Sequence, residues 1–120
     1  MKISKEEKKE LNGFIHRILE LKYGKCLRCK KPHFQASHIY PKGSYRKMEF
    51  DSKNIIPLCF FCHLYWWHKH PIEAHEWIKT ALKPGQLRYL KLRSYATGKG
   101  SRDYIVLRLF LLKELEELQK

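Results

Sequence analysis

The chain has 120 residues, and Lys plus Arg (25) outnumber Asp plus Glu (12), for a net charge of +13. This length favours one domain with one modest core, and no apolar run is long enough to span a bilayer. The charged start MKISKEEKKE has no apolar stretch behind it, so a secretory signal is not expected and a reducing cytoplasm is.

Ser4 to Tyr23 is predicted as a helix, because Leu11, Phe14, Ile15, Ile18 and Leu19 recur at three- and four-residue spacing. Ser4 with Glu7 makes a capping-box pair, and Gly24 is placed to end the helix. HFQASHIY (33–40) reads as a strand, and DSKNIIPLC (51–59) as a second short one. The turn-rich stretch between them carries Lys42, Arg46 and Lys47, with Lys53 just beyond. HLYWWHKH (63–70) suits a helix that Pro71 interrupts or restarts. PIEAHEWIKTAL reads as a helix opened by Pro71 and broken at Pro84-Gly85. A short helix QLRYLKLRSYA and a loop TGKGSR follow. The last segment, DYIVLRLFLLKELEELQK, is a helix with Asp103 as N-cap. Its stretch from Ile105 to Leu112 is apolar almost all the way round, so it is expected in the core or against a second copy. The homodimer reading uses this C-terminal helix. The alternative is that the face from Leu11 to Leu19 covers the stripe within one chain.

The four cysteines, Cys26, Cys29, Cys59 and Cys62, form two Cys-x-x-Cys knuckles that bracket the two strands. Four thiolates suit one tetrahedral zinc ion. Two disulfides or a redox Cys-x-x-Cys compete with that reading, and the redox reading leaves one pair unexplained. The surplus of positive charge favours a polyanionic partner, since each neutralised phosphate releases condensed counterions. A plainly solvated basic surface is the alternative.

Three further residues stand in order: His38 in ASHIY, Asn54 in SKNIIPLC and His63 directly after Cys62. With both knuckles and the strand–loop–strand–helix setting, the stretch from about Lys25 to His70 resembles the HNH, or ββα-metal, nuclease superfamily. It looks most like phage-type members, the NinG/Rap recombination nucleases and more distantly the endonuclease VII type. The resemblance implies an α+β fold, a zinc-knuckled ββα core flanked by N- and C-terminal helices. It implies a metal-dependent DNA endonuclease that leaves a 5′-phosphate and a 3′-hydroxyl. In that scheme His38 is the general base, Asn54 orders the hairpin loop, and His63 holds a catalytic Mg2+ or Mn2+. The chemistry of the residues agrees, since histidine titrates near neutrality and a cation stabilises charge on phosphate.

The resemblance puts Ser37 at the position of a ligand to the catalytic cation, where an acidic or histidine residue is usual. A serine hydroxyl is a weaker ligand for magnesium than a carboxylate. Asn54, Asp51 and His33 are candidates to complete the shell. His68, His70 and His75 are not expected as ligands, because the residue four on from His63 is Trp67. Trp66, Trp67 and Trp77 are read as core. Lys42, Arg46, Lys47 and Lys53 are expected to contact DNA phosphates, with Lys83, Arg88, Lys91, Arg93, Lys99 and Arg102 extending the track. No helix looks like a major-groove reader, so selection by DNA shape is expected. Branched DNA cut by a dimer is one alternative, and a catalytically silent zinc module is another.

Overall fold

A computed structural model describes residues 2–95 and 103–120 of the chain. The fold is α+β and mostly helical, built around a two-stranded sheet and a cluster of four cysteines. Helix α1 runs from Lys5 to Lys22. The Ser4 hydroxyl accepts from the Glu7 amide and the Glu7 carboxylate accepts from the Ser4 amide, the reciprocal cap expected from the sequence. Gly24 follows at φ +73°, a left-handed conformation that glycine adopts without a Cβ penalty.

Strands β1 (Gln35–His38) and β2 (Ile55–Leu58) pair antiparallel, with Ser37 opposite Ile56 and His38 opposite Ile55. Both are shorter than the sequence suggests. Residues 52–54 wind into a 3₁₀ turn because the Asp51 carboxylate accepts from the Lys53 amide and draws the chain into a bend. Every residue of β2 is buried. Ile56 and Leu58 join one apolar cluster, which includes Cys26, Met48, Trp66, Trp67, Ile78 and Leu90. Ile55 joins a second, built on Leu11, Ile15, Ile18, Leu19, Phe50, Leu111 and Leu115. The small sheet therefore lies between two apolar masses.

After β2 the chain does not enter an α-helix. Phe61–Trp67 is a π-helical segment, in which backbone bonds close over five residues. Helix α2 (Pro71–Ala81) follows, opened by Pro71. Helix α3 (Pro84–Ser94) begins on Pro84, so the Pro84-Gly85 pair starts a helix as well as ending one. Helix α4 spans Tyr104–Leu118, and the Asp103 carboxylate caps it by accepting from the Ile105 and Val106 amides. The predicted loop 97–102, with Lys99 and Arg102, lies outside the described residues.

Helix α4 resolves its apolar excess in two ways. Leu111 and Leu115 are buried against α1, and Glu10 of α1 accepts from the Tyr104 hydroxyl and the Arg108 guanidinium. The N-terminal helix thus covers one face of the stripe within the chain. Ile105, Leu109 and Phe110 stay exposed at 66%, 59% and 67%. No helix among the described residues is long and apolar enough to cross a membrane.

Candidate functional site

The two knuckles bring the four cysteine sulfurs within 4.8 Å of one another. A tetrahedral zinc with Zn–S bonds of about 2.3 Å requires sulfurs roughly 3.8 Å apart, so the spread suits one ion after small adjustment. Each knuckle aims an amide at its first sulfur, Cys29 N–H at Cys26 at 3.5 Å and Cys62 N–H at Cys59 at 3.4 Å. Arg28 stacks over Trp66 at 3.9 Å and points Nη1 at the Cys62 sulfur at 3.5 Å. Burial works against ionising the Cys26 thiol, but hydrogen bonds from Cys29, Cys59 and Arg28 overcome it and bring the thiol down to about 6. Burial pushes Cys62 up to about 12. Four sulfurs gathered this closely suit a cation among them, and these cysteines could hold a zinc ion.

Downstream of this cluster lies an open cavity of about 710 Å³. His38, Lys42, His63, His68 and His75 line it, together with Asn12 of α1. His38 projects from the end of β1, half-buried. Its Nε2 lies 2.8 Å from the Glu49 carbonyl. A carbonyl only accepts, so Nε2 carries the proton and Nδ1 keeps a free lone pair. Burial lowers the His38 pKa from its ordinary 6.5, against the Glu49 carbonyl, and the charge of Lys42 lowers it further. At neutral pH the ring is held neutral.

His63 follows Cys62 directly and sits in the π-helical segment, whose start is tied to the knuckle by the His63 amide bonding the Cys59 carbonyl at 2.8 Å. Its Nδ1 donates to the Gln35 side-chain oxygen at 2.8 Å, which leaves Nε2 free. Burial lowers the His63 pKa, and the neighbouring His68 and His38 add to the shift.

Asn54 does not reach the cavity. It is fully buried and fastens the loop between the strands from inside. Its Oδ1 accepts from the Tyr40 amide at 2.8 Å, and its Nδ2 donates to the Tyr40 and Met48 carbonyls at 3.0 and 3.2 Å. The next carbonyl after Met48, that of Glu49, is the one that holds His38. Asn54 thereby reaches His38 through two residues of backbone.

Ser37 requires a correction. Adjacent strand residues point to opposite faces, and Ser37 is paired with Ile56 on the face away from His38. It is fully buried, its hydroxyl has no hydrogen-bond partner, and it does not line the cavity. Asp51 is spent elsewhere, on the Tyr89 hydroxyl at 2.6 Å and Arg93 at 3.0 Å. His33 is exposed and outside the cavity.

Of the loop cations, Lys42 alone among the expected four lines the histidine cavity. Arg46 and Lys47 line a separate groove with Arg93, and Lys53 lies over the Tyr89 ring at 4.6 Å. His68 and His75, set aside on helical spacing, do line the cavity. The pair at 63 and 68 was hidden because its spacing is wrong for an α-helix and right for a π-helix. Trp66 and Trp67 are buried, as expected, and Trp77 packs against them.

No family model matches the chain, and neither does any curated protein or solved structure compared with it.

Two outcomes follow from this geometry. Asn54→Ala takes the partner from the Tyr40 amide and carbonyl and one of two from the Met48 carbonyl, which keeps the Asp51 amide, and should cost roughly 2–4 kcal/mol of stability in urea unfolding. Ser37→Ala removes only an unpartnered buried hydroxyl and should be neutral or stabilising by the same measurement. The cysteine cluster predicts one zinc per chain by elemental analysis. Stripping it with a chelator at neutral pH should abolish cooperative unfolding of the sheet region, since binding energy at such sites is folding energy.

Proposed function

We propose that the chain is a metal-dependent DNA endonuclease of the HNH type. The observation that carries the reading is His38, a neutral imidazole whose Nε2–H is taken by the Glu49 carbonyl and whose Nδ1 is free in a cavity shared with His63 and Lys42. An imidazole so held is arranged to take a proton from water. The zinc of the cysteine cluster is structural in this reading, fixing the start of the segment that carries His63.

Phosphodiester hydrolysis then divides among this chain's own groups. Lys42 offers a positive charge for a DNA phosphate beside His38. His38 accepts the proton of the attacking water at Nδ1 and, as imidazolium, is steadied by the Glu49 carbonyl. His63 would offer Nε2 to a divalent cation, with Gln35 holding the ring by its other nitrogen. A bound cation would supply Lewis-acid stabilisation of charge on the phosphate and the leaving oxygen. The net charge of +13 suits a nucleic-acid substrate.

Plasmid and four-way-junction cleavage, measured with and without EDTA, tests the reading. His38→Ala should lower kcat by at least about a hundredfold while leaving zinc content and the unfolding transition unchanged. Because His38 works as the neutral base and its pKa is lowered, kcat/KM should hold as pH falls through 6.5 and drop only below it. Wild-type turnover by the variant removes His38 as base. A wild-type chain that binds DNA and never cuts it favours the silent zinc module.

A second reading, a dimeric nuclease for branched DNA, is favoured by Ile105, Leu109 and Phe110 on the open face of α4. Two copies joined by that face would set two sites about a two-fold axis. Light scattering should then give twice the 14.5 kDa chain mass, and Phe110→Glu should return the monomer.

A further inference from the structure

We infer that His63 and His68 form one seat for the divalent cation, and that this seat favours nickel, cobalt or zinc over magnesium. The inference takes its catalytic meaning from the nuclease reading, but its geometry stands alone. In an α-helix, residues five apart are rotated by roughly 140° and cannot share a ligand. Here the His68 amide donates to the His63 carbonyl at 3.3 Å, a bond that closes over five residues. The π-helical turn brings the two rings to the same side, with centroids 4.8 Å apart. π-Helical turns recur at functional sites because they re-aim side chains in this way.

The surroundings select the ion. His63 gives its Nδ1–H to Gln35 and keeps Nε2 for coordination. His68 is exposed, lines the same cavity and has room to turn. No Asp or Glu lines that cavity among the described residues. The position where an acid would be usual is Ser37, which faces the buried side of the strand. Magnesium is a hard cation that seeks oxygen ligands, chiefly carboxylates and water. Imidazole nitrogen suits zinc, nickel and copper instead, and affinity rises along the first-row series. A cavity whose polar lining is four imidazoles, Lys42 and Asn12, with no carboxylate, therefore does not fit magnesium, one of the two cations the family resemblance implies.

The test uses tag-free protein with zinc already at its cysteine cluster, titrated calorimetrically with Ni2+ and, separately, Mg2+. One equivalent of Ni2+ should bind, more than about tenfold tighter than Mg2+. His68→Ala should weaken Ni2+ binding by about tenfold or more. His70→Ala, at an exposed residue outside the cavity, should leave it unchanged. NMR of the wild-type chain should show Ni2+ broadening the ring signals of His63 and His68 before those of His16. Undiminished Ni2+ binding by His68→Ala, or Mg2+ binding as tight as Ni2+, overturns the inference. Should that variant fail to fold, the wild-type spectrum decides, since broadening of His63 without His68 overturns it too. A chain that binds Ni2+ through both rings and cuts no DNA keeps the seat and loses the nuclease reading.

Discussion

The convergence of two cysteine knuckles on one point governs everything around it. Cys26 and Cys29 fix where the chain enters the first strand, and Cys59 and Cys62 fix where it leaves the second. A two-stranded sheet of four-residue strands has little stability of its own in water. Tying its open end at four sulfurs removes most of the freedom the hairpin would otherwise keep. The same cluster sets the origin of the π-helical segment, so the ring of His63 is placed by the cysteine one residue away. A histidine next to a knuckle inherits the knuckle's rigidity.

The apolar packing serves this arrangement from both sides. β2 is buried on both faces, with Ile55 toward α1 and α4 and with Ile56 and Leu58 toward the tryptophans, α2 and α3. Helix α3 also braces the loop between the strands. Tyr89 and Arg93 hold Asp51, Gln86 donates to the Lys53 carbonyl, and Arg93 donates to the Lys47 carbonyl. Arg93 is thus committed to structure, which removes one cation from the phosphate track suggested by composition.

What was legible in the sequence was whatever depends on local chemistry. The Ser4–Glu7 cap, the Asp103 cap and the helix opened by Pro71 each follow from side chains acting within a few residues. The cysteine cluster was legible because two evenly spaced pairs have few other uses. The strand lengths were not, since the Asp51 bend competes with extension. Ser37 was misplaced because a residue pattern gives order along the chain and not which face of a pleat each residue takes. His68 reaches the cavity although Trp67 stands four residues on from His63, because the segment winds over five residues. No periodicity in FFCHLYWWHKH announces that the segment winds over five residues. The exposed half of α4 was only half legible, because the sequence shows the apolar excess but not that α1 can cover one face alone.

The loop between the strands is closed from inside by Asn54, as α3 braces it from outside. Asn54 bonds the backbone at Tyr40 and again at Met48, so the chain between those points is a ring with a fixed gate. Lengthening such a ring adds little closure entropy, which grows only with the logarithm of its length. The chain between Gly43 and Tyr45 can therefore be lengthened while the Glu49 carbonyl stays in place behind His38. The fold thus separates the contact between His38 and the Glu49 carbonyl from a cassette beside it, whose length can change without disturbing that contact.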